Sequence, residues 1–236
     1  MPNYAITDLL PLPSSPVQIP RLGFGVYRSP PRQCVQSTQT ALQAGYRHID
    51  TAQFYANEAE VGEAIQKSGI PRGEIFATTK ILSPAGSPDA TYNKMLGSVE
   101  KVGGKDGYVD LFLIHSSGSG SAGRKQLWQA LERLLEEGKA KSIGISNFGV
   151  QHIEEMKEYA KVWPPHVNQI EVSQLSLYTF ASTICADDKL LAPPLVPTTR
   201  DRRILQEEWH RCRILFSHCS QLQGQRPYTR RRGEEV

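Results

Sequence analysis

The sequence has no apolar run near the ~18 residues that a membrane-spanning helix needs. Its opening stretch, MPNYAITDLLPLPSSP, has no basic segment ahead of a long apolar core, so it does not read as a secretory signal. Cysteine is scarce: there are four in 236 residues, three of them (Cys185, Cys212, Cys219) beyond residue 180, and no C-x-x-C pair. Such usage argues against a disulfide scaffold and suits a reducing compartment, so a cytoplasmic location is expected. A Walker motif, G-x-S-x-G and H-E-x-x-H are all missing. His210, Cys212, His218 and Cys219 lie close together, but their spacing fits no zinc pattern, and no metal is expected.

An excess of one charge is also missing from most of the chain. Net charge is +3, yet residues 1–199 carry 18 Lys and Arg against 19 Asp and Glu, while residues 200–236 carry 9 Arg and 5 acidic residues. The basic balance therefore belongs to the tail. Arg230-Arg231-Arg232 has no aromatic or Gly-rich recognition pattern around it and reads as a solvated run, so no nucleic-acid partner is expected.

What is present is globular: 39% hydrophobic and 22% charged residues, with 19 Gly and 16 Pro. Between residues 22 and 172 strands and helices alternate. Strands are expected over 22–26, 46–52, 74–80, 109–115, 141–148 and 166–172. Helices are expected over 33–45, 57–69, 88–102, 124–138 and 150–161. Asn57 reads as an N-cap, and Gly45, Gly69 and Gly138 read as stops. VDLFLIH (109–115) is almost continuously apolar, as a strand buried on both faces should be. Six strands at a spacing of roughly 30 residues imply parallel βαβ crossovers. The first strand-to-helix turn, GFGVYRSPP, is not a dinucleotide fingerprint of the open doubly wound fold, which points instead to a (β/α)8 barrel. The chain is short for one, since about 250 residues are typical. After Val172 the alternation stops; 204–222 reads as one loosely amphipathic helix and the end as disordered.

Active sites of parallel α/β barrels lie at the C-terminal strand ends. Asp50 ends the second strand and Tyr55 follows it; Lys80 ends the third; His115 the fourth; Ser146 and Asn147 the fifth; Gln169 lies in the sixth. Asp50, Tyr55, Lys80 and His115 form a set of parts for protonating a carbonyl oxygen. An ammonium beside a tyrosine favours the phenolate and should lower its pKa. Asp50 could hold Lys80, and His115 could donate a hydrogen bond to the carbonyl. Hydride would have to come from a nicotinamide cofactor. Each residue alone also has an ordinary explanation: a turn aspartate, a half-buried tyrosine, a solvated strand-end lysine, a satisfied histidine. His48, in RHID, is expected to pack.

The sequence resembles the aldo-keto reductases, NADPH-dependent (β/α)8-barrel enzymes that reduce aldehydes and ketones. The matching stretches are LGFGVY (22–27), AGYRHIDTAQFYANEAEVGEAI (44–65), TTK (78–80), VDLFLIHS (109–116), LEEGKAKSIGISNF (135–148) and VNQIE (167–171). The resemblance implies Tyr55 as proton donor, Lys80 and Asp50 as its tuning partners, and His115 as the residue that orients a small-molecule carbonyl substrate. It implies NADPH contacts at Asp50, Ser146, Asn147 and Gln169, and at Gly25, Val26 and Tyr27 of the first strand-loop. It also implies a hairpin over 4–20 at the barrel bottom, and a monomer.

The resemblance stops after Glu171. The family's seventh and eighth strands, its nicotinamide-stacking aromatic, its pyrophosphate loop and its cluster for the adenosine 2′-phosphate have no recognisable counterpart here. The expected organisation is an incomplete barrel over 1–172 and an unmatched, partly disordered Arg-rich tail over 173–236. An abrupt change of this kind is what a frame shift or retained intron would leave. Two unpaired sheet edges and weak cofactor binding should follow. The alternative function is a non-catalytic aldo-keto-reductase-like protein lacking most of its cofactor site.

Overall fold

The structure is a computed structural model and describes residues 5–171 together with the backbone of Arg213 and Ile214. Strands β1 (Leu9–Pro11) and β2 (Gln18–Pro20) form an antiparallel hairpin. Then come β3 (Phe24–Gly25), α1 (Pro31–Gln43), β4 (His48–Asp50), α2 (Glu58–Lys67), β5 (Phe76–Ile81) and α3 (Pro88–Gly103). They are followed by β6 (Leu111–Ile114), α4 (Gly120–Glu136), β7 (Ile143–Ser146), α5 (Val150–Met156) and β8 (Asn168–Gln169). Successive strands from β3 to β8 pair in parallel, in chain order. This is the incomplete (β/α)8 barrel that the alternation implied, with a strand or helix in every expected segment from 22 to 172.

Three local expectations need correction. The β8 edge does not stand bare: Arg213 and Ile214 form a short strand, β9, pairing in parallel with Asn168 and Gln169. A helix over 204–222 therefore does not run through those two residues. Helix α5 ends at Met156, short of the expected 161. Asn57 stands at the start of α2, but its side chain does not cap the helix. Its amide is drawn instead to the Val26 carbonyl (2.9 Å) and the Thr51 hydroxyl (2.7 Å), two stronger claims on a side chain that is almost fully buried. The remaining assignments to 173–236, the disordered tail and the His210, Cys212, His218 and Cys219 group included, lie outside the described residues.

Alternation along the strands sorts side chains into two cores. On β6, Phe112 and Ile114 face the helices with Trp128, Leu131 and Met95, all essentially without exposure. Leu111 and Leu113 face the concave side, where Leu12 and Ile19 of the hairpin meet them with Phe76 and Val167. The hairpin thus fills the concave space at the N-terminal ends of the strands, and the polar strand ends are left at the other. Ser87 caps α3, its hydroxyl accepting from the Ala90 N–H at 3.2 Å, with Pro88 in the first turn. Gly138 closes α4 at φ 69°, a left-handed conformation that glycine adopts without a Cβ penalty. Among the described residues no helix is long and apolar enough to cross a membrane.

Candidate active site

The same alternation that buries Phe76, Leu111 and Leu113 sends Asp50 and Lys80 inward. On β5, Phe76 and Lys80 share the concave face, while Ala77 and Ile81 face the helices. Strand register places Asp50 beside Thr78, and Lys80 beside Leu113. Lys80 Nζ donates to Asp50 Oδ1 at 2.5 Å and to the Thr51 carbonyl at 3.0 Å, and it lies 3.4 Å from Tyr55 Oη. Its side chain is 1% exposed and that of Asp50 is 9% exposed, so this is a buried ion pair. Asp50 Oδ2 accepts from Gln169 Nε2 at 2.9 Å, which joins β4 to β8 across the mouth. The four-residue set is therefore brought together: the Tyr55 ring stands edge-on to His115 at 5.5 Å between centroids.

The expected direction of the tyrosine shift is overturned. Burial pushes the Tyr55 phenol up from its ordinary value, and the Asp50 carboxylate adds to that push. The chief reason is burial, which penalises the charged phenolate, and the Asp50 carboxylate that holds Lys80 adds to it. Burial also pulls Lys80 down, opposed by Asp50. His115 is held down to about 4, first by burial and then by Lys80, so its ring is neutral at pH 7. Its Nδ1 is buried with no partner among the described residues.

The residues expected along a nicotinamide divide. Ser146 and Gln169 are paired in register on neighbouring strands. Asn147 follows at φ 56°; its Oδ1 accepts from the Glu171 N–H at 3.0 Å, and its Nδ2 reaches Ser146 Oγ at 3.3 Å. Together they offer hydroxyl, amide N–H and amide carbonyl groups at one rim, a donor set that fits a carboxamide. At Gly25 an added Cβ would meet nothing within 4 Å, so the first strand end borders open space. The Val26 side chain turns away into the helix-facing core. Tyr27 lies over Tyr55 with centroids 4.9 Å apart. His48 packs as expected: it is buried, edge-on to Phe76, with Nε2 2.9 Å from Thr78 Oγ1.

Phe54 was not singled out from sequence, yet it is 61% exposed and 6.2 Å from the His115 ring. An aromatic next to the candidate tyrosine was the signal available. No group of three metal-capable side chains occurs among the described residues.

Fold and site together define a parallel βα-barrel protein with a tyrosine beside a buried Lys–Asp ion pair at its strand ends. The chain belongs to the aldo/keto reductase family, whose model matches residues 21–186, past the point where the motif match ends. It is 41% identical over 162 residues to the 9,11-endoperoxide prostaglandin H2 reductase of Trypanosoma cruzi, covering 67% of this chain and 55% of that one. It is 41% identical over 157 residues to an aldo-keto reductase of Mycolicibacterium vanbaalenii, covering 66% and 55%. The crystal structure of an aldo/keto reductase from Brucella melitensis superimposes with a TM-score of 0.66 at 34% identity, covering 86% of this chain and 79% of that one. That of a putative 2,5-diketo-D-gluconic acid reductase B gives 0.63 at 36%, covering 76% and 64%. The chain spans about half the length of the relatives it matches.

Proposed function

We propose that this chain is the barrel portion of an NADPH-dependent oxidoreductase that reduces an aldehyde or ketone to an alcohol, with Tyr55 as proton donor. The observation that carries this is the phenol 3.4 Å from a buried ammonium that is itself ion-paired at 2.5 Å. A high resting pKa keeps the proton on Tyr55 Oη until a carbonyl oxygen begins to carry negative charge. As the proton leaves, the phenolate gains the Lys80 ammonium as a partner, which stabilises the transition state more than the ground state. Asp50 holds Lys80, and Gln169 holds Asp50. Neutral His115 offers one ring N–H to the carbonyl oxygen and so orients it. When bound, a nicotinamide cofactor supplies the hydride that side chains cannot. Asp50, Ser146, Asn147 and Gln169, with Gly25 and Tyr27 at the first strand end, are the residues that would hold it.

The test compares wild-type chain with Tyr55→Phe, using 4-nitrobenzaldehyde and millimolar NADPH. Loss of about 10²–10⁴-fold in kcat is expected on removing a general acid. A variant that keeps wild-type turnover refutes the mechanism. A second reading, a non-catalytic member of the family, is favoured by the absence of any recognisable phosphate-binding pattern after Glu171. It predicts neither turnover nor NADPH binding by the wild type.

A further inference from the structure

Tyr55 is carried by a 3₁₀ turn, Gln53–Tyr55, that has little of its own to aim it. The turn makes two backbone bonds, Tyr55 N–H to the Ala52 carbonyl (3.0 Å) and Ala56 N–H to the Gln53 carbonyl (3.1 Å). Ala56 closes it at φ 56°. A non-glycine residue persists in that left-handed conformation where its surroundings over-determine it.

The surroundings do so from two sides. On one, Asn57 accepts from the Thr51 hydroxyl at 2.7 Å and donates to the Val26 carbonyl at 2.9 Å, pinning the chain just after the turn. On the other, the Glu58 carboxylate, 4% exposed, accepts from Thr79 Oγ1 at 2.5 Å and from Ser98 Oγ at 3.1 Å. Ser98, its hydroxyl proton committed to Glu58, accepts from Gln53 Nε2 at 2.7 Å. Gln53 Nε2 also reaches the Lys94 carbonyl at 3.1 Å. Thr79 and Lys80 are neighbours on β5 with opposite orientations. The outward one is tied through Glu58, Ser98 and Gln53 to the start of the turn; the inward one meets Tyr55 near its end. The Tyr55–Lys80 separation is therefore closed into a ring of bonds running through β5, α2 and α3.

We propose that Gln53 is a positioning residue: its bond to Ser98, relayed by Glu58 to Thr79, keeps the turn oriented so that Tyr55 Oη stays within reach of the Lys80 ammonium. The catalytic consequence rests on Tyr55 acting as proton donor; the structural consequence does not. Gln53 is half-buried, and its amide bonds go to Ser98 and the Lys94 carbonyl rather than to Tyr55 or Lys80.

The test uses the full chain with Gln53→Met, which keeps length and removes the donor, and Gln53→Lys, which keeps a donor. Two quantities are read: NADPH-dependent reduction of 4-nitrobenzaldehyde, and amide hydrogen exchange of the segment 52–57 without cofactor. In Gln53→Met the exchange of this segment should rise several-fold while β5 and β6 stay protected. kcat should fall about tenfold, within the range that misplacing a reacting group costs, with KM for NADPH unmoved. Gln53→Lys should restore both. Unchanged exchange in Gln53→Met overturns the proposal, as does a rise shared equally by β5 and β6. Faster exchange with undiminished kcat overturns its catalytic part. If the wild type shows no turnover, or Tyr55→Phe retains it, the proposed function fails, and exchange alone then decides whether Gln53 positions the turn.

Discussion

Replacing Asp50 by Asn should be among the most destabilising single changes in the chain. The Lys80 ammonium lies 2.5 Å from Asp50 Oδ1 and its side chain is 1% exposed. At that distance and an effective dielectric of about 20, the gross attraction is about 7 kcal/mol, offset by several kcal/mol of desolvation for each ion. The net value of the pair is thus small, but stranding one partner is costly, about 3–5 kcal/mol. Lys80 would keep the Thr51 carbonyl at 3.0 Å and no counter-charge. Lys80→Met should cost less, because Asp50 keeps Gln169 at 2.9 Å and is the more exposed of the two. The double variant Asp50→Asn/Lys80→Met should recover most of the loss.

The pH dependence carries a sign. Without Asp50 the folded-state pKa of Lys80, already pulled down by burial, falls further below its unfolded value of about 10.4. The unfolded chain then binds more protons, so the stability of Asp50→Asn rises with pH up to that value. Urea unfolding of the four proteins between neutral and mildly alkaline pH measures all of this. The reasoning fails if Asp50→Asn loses less than about 1 kcal/mol, or if the double variant is the least stable of the set.

Three further outcomes are expected. His48 is fully buried and held down to about 4 from 6.5, so stability should be complete above pH 6.5 and be lost as pH falls toward 4. His48 alone contributes about 3 kcal/mol over that window, and His48→Leu should flatten the acid limb of a pH-dependent urea series. A Cβ at Gly62 would lie 2.0 Å from the Lys101 carbonyl oxygen, whereas one at Gly97 would meet nothing within 4 Å. Gly62→Ala should therefore lower stability by about 1–3 kcal/mol by forcing α2 from α3, while Gly97→Ala should raise it slightly; equal thermal midpoints would contradict this. NADPH titration followed by intrinsic fluorescence should show binding weaker than micromolar, because the residues after Glu171 present no pattern for the cofactor's phosphates; micromolar affinity would overturn that expectation.

Much of the frame was legible because it is periodic. The apolar run over 109–115 and the heptad-like leucines of 124–138 locate a doubly buried strand and its covering helix without any tertiary knowledge. Boundaries were less legible, and α5 is the clearest case: at Met156 the chain leaves the helix although the sequence carries no glycine or proline there. Asn57 holds the N-cap position expected of it, but its side chain does not cap the helix, for a related reason. Cap preference is local, but an amide buried against the Val26 carbonyl and the Thr51 hydroxyl answers to partners that only folding brings near.

The sequence by itself determined the beat of strand and helix, the concave face on which Asp50, Lys80 and His115 fall, and their order along the chain. These depend on side-chain alternation, which is local. Only the tertiary structure decided that Asp50 and Lys80 meet at 2.5 Å, that Gln169 reaches Asp50 from β8, and that the Tyr55 phenol is pushed up rather than down. A nearby ammonium pulls a phenol's pKa down, while burial and a neighbouring carboxylate push it up, and the net direction is their balance. Distance and burial settle that balance, and no spacing of residues along a chain encodes either.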